Sequence, residues 1–323
     1  MNDHAPRLEL RGIPATPTLT AQLVHWAAVL RNHAVEPGDC TVLLERNGWP
    51  PGARCHVEAR VALLRHGQPV VATPFTLAGA MSPVSLAGAL AQQNAEALFC
   101  VALAQIVRPG TPMVYGAFTS NVDMRTGSPA FGTPEYVKAA FASGQLARRY
   151  GLPWRSSNAT ASNVVDAQAA YESEMAVWGA IMGGVNLLYQ GAGWLEGGLT
   201  ASFEKLIVDA EILQMMAEVL TPFRVDEAEI GVDAIAAVGP GGHFFGSPHT
   251  LERYETAFYR PLLSDWRNFE TWHEDGARTA TERANTIWKR LLAEFEPPPL
   301  DPAIAEALAD YVNRRRAAIE ARR

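Results

Sequence analysis

Polar side chains gather at four places along this chain, each just after a short apolar run, and their types suit the holding of a small cation. Thr73 and Thr76 accompany the run VVATPFTL. Tyr115, Thr119, Ser120, Asn121 and Asp123 follow PMVYGAF. Ser156, Ser157, Asn158 and Asn163 come from WRSSNATASN, and Tyr189, Gln190, Trp194 and Glu196 from NLLYQGAGWLEGG. Glu196 is the most pointed of them. It stands two residues after Trp194 and directly before two glycines, which permit close approach of the backbone. A carboxylate beside an aromatic ring can hold a cation by charge and by the ring face. The same carboxylate could instead act as an anion near the positive end of the helix that follows, and both readings stay open. His243 and His249, in GGHFFGSPH, could reach over such a site as a lid or serve only the structure of their loop.

These groups need elements that bring them together. Each apolar run ends in polar residues and is followed by a long amphipathic stretch, so the pattern is strand then helix, repeated. Repetition of that unit implies parallel strands joined by crossover helices, with functional residues collected past the strand ends. A helix is expected from about Ser85 to Val107, stopped by Arg108-Pro109-Gly110. Thr133-Pro134 reads as a cap followed by proline at the first helical position, with Arg148, Arg149 and Gly151 at the other end. Asp166 caps AQAAYESEMAVWGAIM, which halts at Gly183-Gly184. From about Ser202 to Leu220 the residues Phe203, Leu206, Ile207, Ala210, Leu213, Ala217 and Leu220 fall on one stripe, predicting a helix packed on the outside of the sheet. Glu204, Asp209, Glu211 and Glu218 lie off that stripe.

The fold class is therefore α/β, a (β/α)8 TIM-barrel-like arrangement that is incomplete, with a C-terminal helical tail. Residues 1–68 form an atypical N-terminal segment, with a helix expected through AQLVHWAAVLRNH and a strand at TVLLE. Residues 69–220 carry the βα units, and 221–323 a glycine-rich loop and helices. Each βα unit takes roughly 30 residues, so closing a barrel would need about 120 more upstream. The 68 available do not read as four units. Either the barrel is partial or another chain covers its open edge, which would otherwise invite aggregation. In the tail, Tyr254, Phe258, Tyr259, Trp266, Phe269 and Trp272 could line a pocket, or dock the tail on the domain or on another subunit.

Composition narrows the function. The chain has 323 residues, 48% apolar and 19% charged, which fits a well-buried protein and not a disordered one. A net charge of −7 offers no basic field, so no nucleic acid is expected. No apolar run nears the ~18 residues of a membrane span, so no membrane is expected either. Cys40, Cys55 and Cys100 are scattered without metal-ligand spacing, and a cytoplasmic location is the simplest reading. There is no P-loop, GxGxxG, nucleophile elbow or metal motif. GPGGHFFG does not sit between a strand and a helix, so it is not a phosphate cradle.

Long segments resemble the trimethylamine methyltransferase family: VVATPFTLAGAMSPVSLAGALAQQNAEAL, VYGAFTSNVDMRTGSPAFGTPEY, QAAYESEMAVWGAIMGGVN, GWLEGGLTASFEKLIVDAEILQMM and AVGPGGHFFGSPHTLERYETAFYRPLLSDWRNFETW. The resemblance covers about residues 66 to 310. It implies a (β/α)8 barrel that moves a methyl group from a quaternary or tertiary methylated amine to the Co(I) of a separate corrinoid protein. On that resemblance no cofactor is bound tightly, because the corrinoid (cobalamin) is supplied by the partner, and a homo-oligomer is expected. Members with pyrrolysine act on trimethylamine. This chain has only standard residues, so it is nearer those similar to betaine methyltransferases. Expected substrate contacts are Asn121, Asn158, Gln190, Trp194 and Glu196, with His243 pairing a betaine carboxylate. No metal ligand is expected and no catalytic residue is assigned. The alternative is a truncated member that binds a ligand or partner without turnover. An unrelated barrel enzyme of proton transfer would call for a perturbed carboxylate pair, which the sequence does not display.

Overall fold

A computed structural model describes residues 69–321. The helix expected at AQLVHWAAVLRNH and the strand at TVLLE lie outside the described residues. Four βα units follow one another, as the repeats predict. Strand β1 (Val70–Ala72), β3 (Met113–Gly116), β6 (Trp154–Ser157) and β7 (Leu187–Tyr189) are neighbours in that order and all parallel. The first two expected strands are each interrupted. β1 breaks at Thr73-Pro74 before β2 (Phe75–Ala78), and β3 breaks at Ala117 before β4 (Phe118–Val122). The register runs straight across the break: Val70 faces Met113 and Phe75 faces Phe118. The interruption is thus local, and proline, which cannot donate to a ladder, stands at it. A short β5 (Pro129–Ala130) turns back antiparallel on β4.

The helices begin where their caps predict. Ser85 accepts from the Gly88 N–H to open α1 (Leu86–Val107). Thr133 accepts from Tyr136 N–H, with proline next, to open α2 (Pro134–Arg149). Asp166 caps α3 (Ala167–Met182), and Ser202 caps α4 (Phe203–Leu220). Arg148 does more than complement a helix end, because its guanidinium donates to the Gly183 carbonyl at the end of α3. A Cβ at Gly144 would lie 2.0 Å from that carbonyl oxygen, so only glycine lets α2 approach this closely.

Alternation along the strands divides two faces. Tyr115, Ala117, Thr119, Trp154 and Ser156 look toward the helices. Trp154 packs with Tyr115, Ala97, Ala140 and Ala147. The Gln93 amide donates to Tyr115 OH (3.2 Å) and Ser143 Oγ (3.0 Å), and accepts from the Thr119 hydroxyl. Burial pushes the Tyr115 phenol up to about 12. Two residues that the sequence grouped with the strand-end cluster, Tyr115 and Thr119, thus join sheet to helix. A cavity of about 10 Å³ between Tyr136, Ser143, Trp154 and Ser156 on this side has room for no more than a water. Phe75, Phe118, Arg155, Ser157, Leu187 and Tyr189 occupy the other face.

Helix α4 departs from its expected stripe. Its buried residues are Lys205, Ile207, Asp209, Glu211, Ile212 and Met216, while Phe203, Leu206 and Leu220 are exposed. Three of the buried residues are charged, and each has partners that a helical wheel does not show. Lys205 is paired with Asp209 and donates to Ser173 Oγ. Glu211 accepts the backbone N–H groups of Leu262 and Leu263 at 2.7 and 3.0 Å. The helix packs chiefly on α9 (Ala280–Ala293), with α3 alongside, and it meets the sheet where Ile212, Leu213 and Met216 cluster with Leu188 of β7.

The tail also holds short helices α5 (Glu227–Ile230), α6 (Val232–Val238), α7 (Pro248–Leu251) and α8 (Phe269–Glu274), and it ends in α10 (Pro302–Glu320). Tyr254, Phe258, Trp266 and Phe269 stand exposed, so they are not packed into the core of the described residues. Tyr259 and Trp272 are half-buried.

Glu204 ties α4 to α9. Its carboxylate accepts from Asn285 Nδ2 (2.6 Å) and Trp288 Nε1 (2.8 Å), and Phe203 stacks on Trp288. Those donors hold the carboxyl down to about 2. A depressed acid stabilises the fold above its unfolded value and loses that contribution as pH falls through the folded one. Urea melts should therefore show wild type losing stability between about pH 4.5 and 2. Glu204→Gln should be less stable at neutral pH and lack that part of the slope.

Candidate active site

The C-terminal ends of β6 and β7 form a continuous polar rim. It is reached from within β6 by Arg155, a residue 5% exposed. Its Nη2 donates to Gln190 Oε1 (2.9 Å), and its guanidinium lies 5.2 Å from the Tyr189 ring centroid and 5.7 Å from that of Phe118. Burial lowers its pKa, although an arginine stays charged. Two positions on along the strand, Ser157 Oγ is buried near the Tyr136 hydroxyl and makes no hydrogen bond of full geometry. Asn158 is 2% exposed; its Nδ2 donates to the Gly191 carbonyl (2.9 Å), while its Oδ1 is buried without a partner. A buried acceptor left unpaired is costly, and such an atom calls for an explanation.

The segment after β7 is stitched to the segment after β6. Thr160 Oγ1 donates to the Trp194 carbonyl (2.9 Å), Gly197 N–H to the Thr160 carbonyl (2.7 Å), and Glu196 N–H to the Ser162 carbonyl (3.0 Å). Trp194 and Leu195 form β8, which pairs with β9 (Thr200–Ala201). Gln190 and Glu196 both hold positive φ, 56° and 51°, in the left-handed region that costs a side-chain-bearing residue about 1 kcal/mol or more. Two strained residues in one rim require surroundings that over-determine them, and the hydrogen bonds just named do so.

Two carboxylates hold the rim from behind. Asp209 accepts from Gly193 N–H at 2.8 Å. Glu172 Oε2 accepts from Ala161 N–H (2.8 Å) and Ser162 N–H (3.0 Å).

The expected contact residues fall into three groups. Asn158, Gln190, Trp194 and Glu196 come together on this rim, with Glu196 exposed and its carboxylate accepting from Thr200 Oγ1. Asn121 lies on β4, where Oδ1 accepts from Thr133 Oγ1 at 2.9 Å, linking that strand end to the cap of α2. His243 is exposed on the loop before α7, with Phe245 as its ring neighbour at 5.9 Å. No hydrogen bond among the described residues joins it to the rim. Asp123 makes a turn with Arg125 and Thr126. His249 binds the Ala228 carbonyl at 3.0 Å. Arg155, Thr160 and Glu172 were missed. Arg155 was visible as a charge within the strand WRSS, one residue out of phase with the outward Trp154.

Chemically, the rim offers aromatic faces, an exposed carboxylate, a buried amide oxygen and a buried guanidinium. Among the described residues no group of three His, Cys, Asp or Glu is placed to hold a metal ion. No helix among them is long and apolar enough to cross a membrane.

Residues 47–320 match the family described as trimethylamine methyltransferase (MTTB). The chain belongs to the trimethylamine methyltransferase family. Within it, the chain is 41% identical over 258 residues to a glycine betaine methyltransferase of Desulfitobacterium hafniense (strain Y51), covering 80% of this chain and 54% of that protein. It is 33% identical over 263 residues to trimethylamine methyltransferase MttB2 of Methanosarcina mazei, covering 80% of this family member and 52% of the relative. A trimethylamine methyltransferase MttB of Desulfitobacterium hafniense (strain DCB-2) is 32% identical over 249 residues, 77% and 50% of the two chains. The chain spans about half the length of the curated relatives it matches.

Proposed function

We propose that this chain binds a quaternary methylated amine of the betaine type at the rim of β6 and β7 and presents one methyl group for transfer to a corrinoid protein. The observation that carries the reading is the unpartnered Asn158 Oδ1, buried at the rim shared with Trp194 and Glu196 in a chain of this family. A quaternary nitrogen has no N–H, so it cannot satisfy a donor or an acceptor. Its N-methyl groups share the positive charge, however, and suit an amide oxygen, ring faces and a carboxylate.

The chain's own task is orientation. Loss of a methyl group from a quaternary nitrogen leaves a neutral amine, so no side chain need donate a proton to the leaving group. Trp194 and Tyr189 bound the cation, Glu196 balances its charge, and Asn158 fixes which methyl faces outward; holding reacting groups in line lowers the barrier without covalent help. Cobalt(I), carried by the partner, supplies the nucleophile when bound. Tyr189 is 59% and Leu187 40% exposed at the edge strand, which suits a cofactor that arrives on another protein. No residue of this chain is assigned as a ligand to it.

In a second reading the rim binds the amine without turnover. Incubating the chain with free cob(I)alamin and a panel of betaines separates the two. The proposal predicts conversion to methylcobalamin, followed by absorbance, with at least one betaine. A folded chain that binds a betaine and transfers from none supports the second reading.

A further inference from the structure

Arg155 is a cation in a rim that is read here as binding a cation. Its surroundings do not neutralise it. A guanidinium carries five N–H donors. Among the described residues this side chain makes one hydrogen bond, from Nη2 to Gln190, and no carboxylate lies within ion-pair distance. The residue is nonetheless 5% exposed, held between the rings of Tyr189 and Phe118. Ring faces on either side leave the edge of the guanidinium plane, where its N–H groups point, as the place for a partner. Arginines buried this deeply are ordinarily paired.

The neighbours are suited to an anion. Ser157 Oγ, on the same strand two residues away, is buried near the Tyr136 hydroxyl and makes no hydrogen bond of full geometry. Gln190 is held at φ 56°, a strained conformation that keeps its amide oxygen on Arg155 and so fixes the direction of the fork. At the other end of the rim, Trp194 and Glu196 suit a positive group. One rim thus has a cationic end and an anionic end. A bare ammonium would meet a guanidinium that repels it, whereas a zwitterion would match both ends.

Resting on the reading above, we propose that Arg155 is the specificity-determining residue that receives the carboxylate of the substrate, with Ser157 as a second donor, so the substrate class is an N-methylated amino acid and not a simple amine. The carboxylate accepts two parallel N–H bonds from the guanidinium, a geometry that an ammonium point charge does not reproduce. His243, expected for this role, is exposed on its loop and makes no hydrogen bond to the rim among the described residues.

The test is calorimetric binding to the full chain, wild type, Arg155→Gln and Arg155→Lys, with thermal melting of each unliganded protein. Three probes separate the two ends of the substrate: glycine betaine, 3,3-dimethylbutanoate (the carboxylate with an uncharged tert-butyl group) and tetramethylammonium (the cation alone). Wild type should bind the first two. Arg155→Gln should weaken both by about 10- to 100-fold, the range for a charged hydrogen-bonded contact, and should not weaken tetramethylammonium, which loses a repelling charge. Arg155→Lys should fall between them. The proposal is overturned if a folded Arg155→Gln binds both carboxylates as wild type does, or if wild type binds tetramethylammonium as tightly as glycine betaine. Should Arg155→Gln fail to fold, Arg155→Lys decides: unchanged carboxylate affinity overturns the proposal, and a loss of about 5-fold or more, as expected for one lost fork contact, supports it. Arg155-dependent carboxylate binding without methyl transfer would retain this inference and remove the enzymatic reading. Transfer from an amine lacking a carboxylate, unaffected by Arg155→Gln, would do the reverse.

Discussion

Asp209→Ala lowers stability by about 3 to 5 kcal/mol, the cost of leaving a buried charge without its partner. Lys205 is fully buried on α4, and among the described residues its ammonium has only Asp209 and the Ser173 hydroxyl as hydrogen-bond partners. Desolvation lowers the Lys205 pKa, which shows how poorly this environment tolerates the charge once its counterion is gone. Asp209 also accepts from Gly193 N–H, so its loss frees a backbone donor next to Trp194. Thermal melting should show a fall on the order of 10 °C. Lys205→Met combined with Asp209→Leu should recover much of it, because removing both charges is far cheaper than removing one. A single Asp209→Ala variant within 1 °C of wild type would contradict this account of α4, given that about 1 kcal/mol moves Tm by ~2–4 °C in a domain of this size.

Glu172→Ala should damage the rim from behind. The Glu172 carboxylate holds the N–H groups of Ala161 and Ser162, and the Ser162 carbonyl in turn holds Glu196. Hydrogen bonds to a charged acceptor contribute about 1.5 to 3 kcal/mol each, so the expected cost is about 2 to 4 kcal/mol, with the freed N–H groups partly recovered by water. The loop that carries Asn158 and positions Glu196 would then shift. A displacement of about 1 Å in a positioning element can cost about 100-fold in rate. Methyl transfer to cob(I)alamin by Glu172→Ala, compared with Glu172→Gln, measures this. Glutamine keeps an amide oxygen for the two N–H groups and should recover at least a tenth of wild-type activity, on the scale of a single neutral hydrogen bond. Equal activity in all three proteins would show that the loop does not need this anchor.

Helix starts were legible because their signals are local. Ser85, Thr133-Pro134, Asp166 and Ser202 each bond to backbone groups within four residues, so sequence spacing alone identifies them. The parallel order of the strands followed from the same repetition of strand and helix. The buried face of α4 was not legible, because Glu211 is buried only by virtue of N–H groups some 50 residues away, on the segment from Leu262 to Ser264. A helical wheel assigns such a carboxylate to solvent. The rim was legible in part: Asn158, Gln190, Trp194 and Glu196 share it, and polar residues after successive strands pointed there. Asn121 differs because Thr133, which caps the next helix, already uses its amide oxygen. Arg155 was passed over because it lies inside a strand and not beyond it. Its neighbours on either side, Trp154 and Ser156, face the helices.

The central claim is that the rim of β6 and β7 encloses the N-methyl groups of the substrate. Glycine betaine labelled with ¹³C in its methyl groups, bound to the full chain, gives the most direct view through isotope-filtered NOE spectra. The account predicts contacts from the methyl protons to the rings of Trp194 and Tyr189, assigned by loss of the corresponding signals in Trp194→Phe and Tyr189→Leu. Methyl contacts confined to the exposed tail aromatics Phe258, Trp266 and Phe269, with none to the rim, would contradict it.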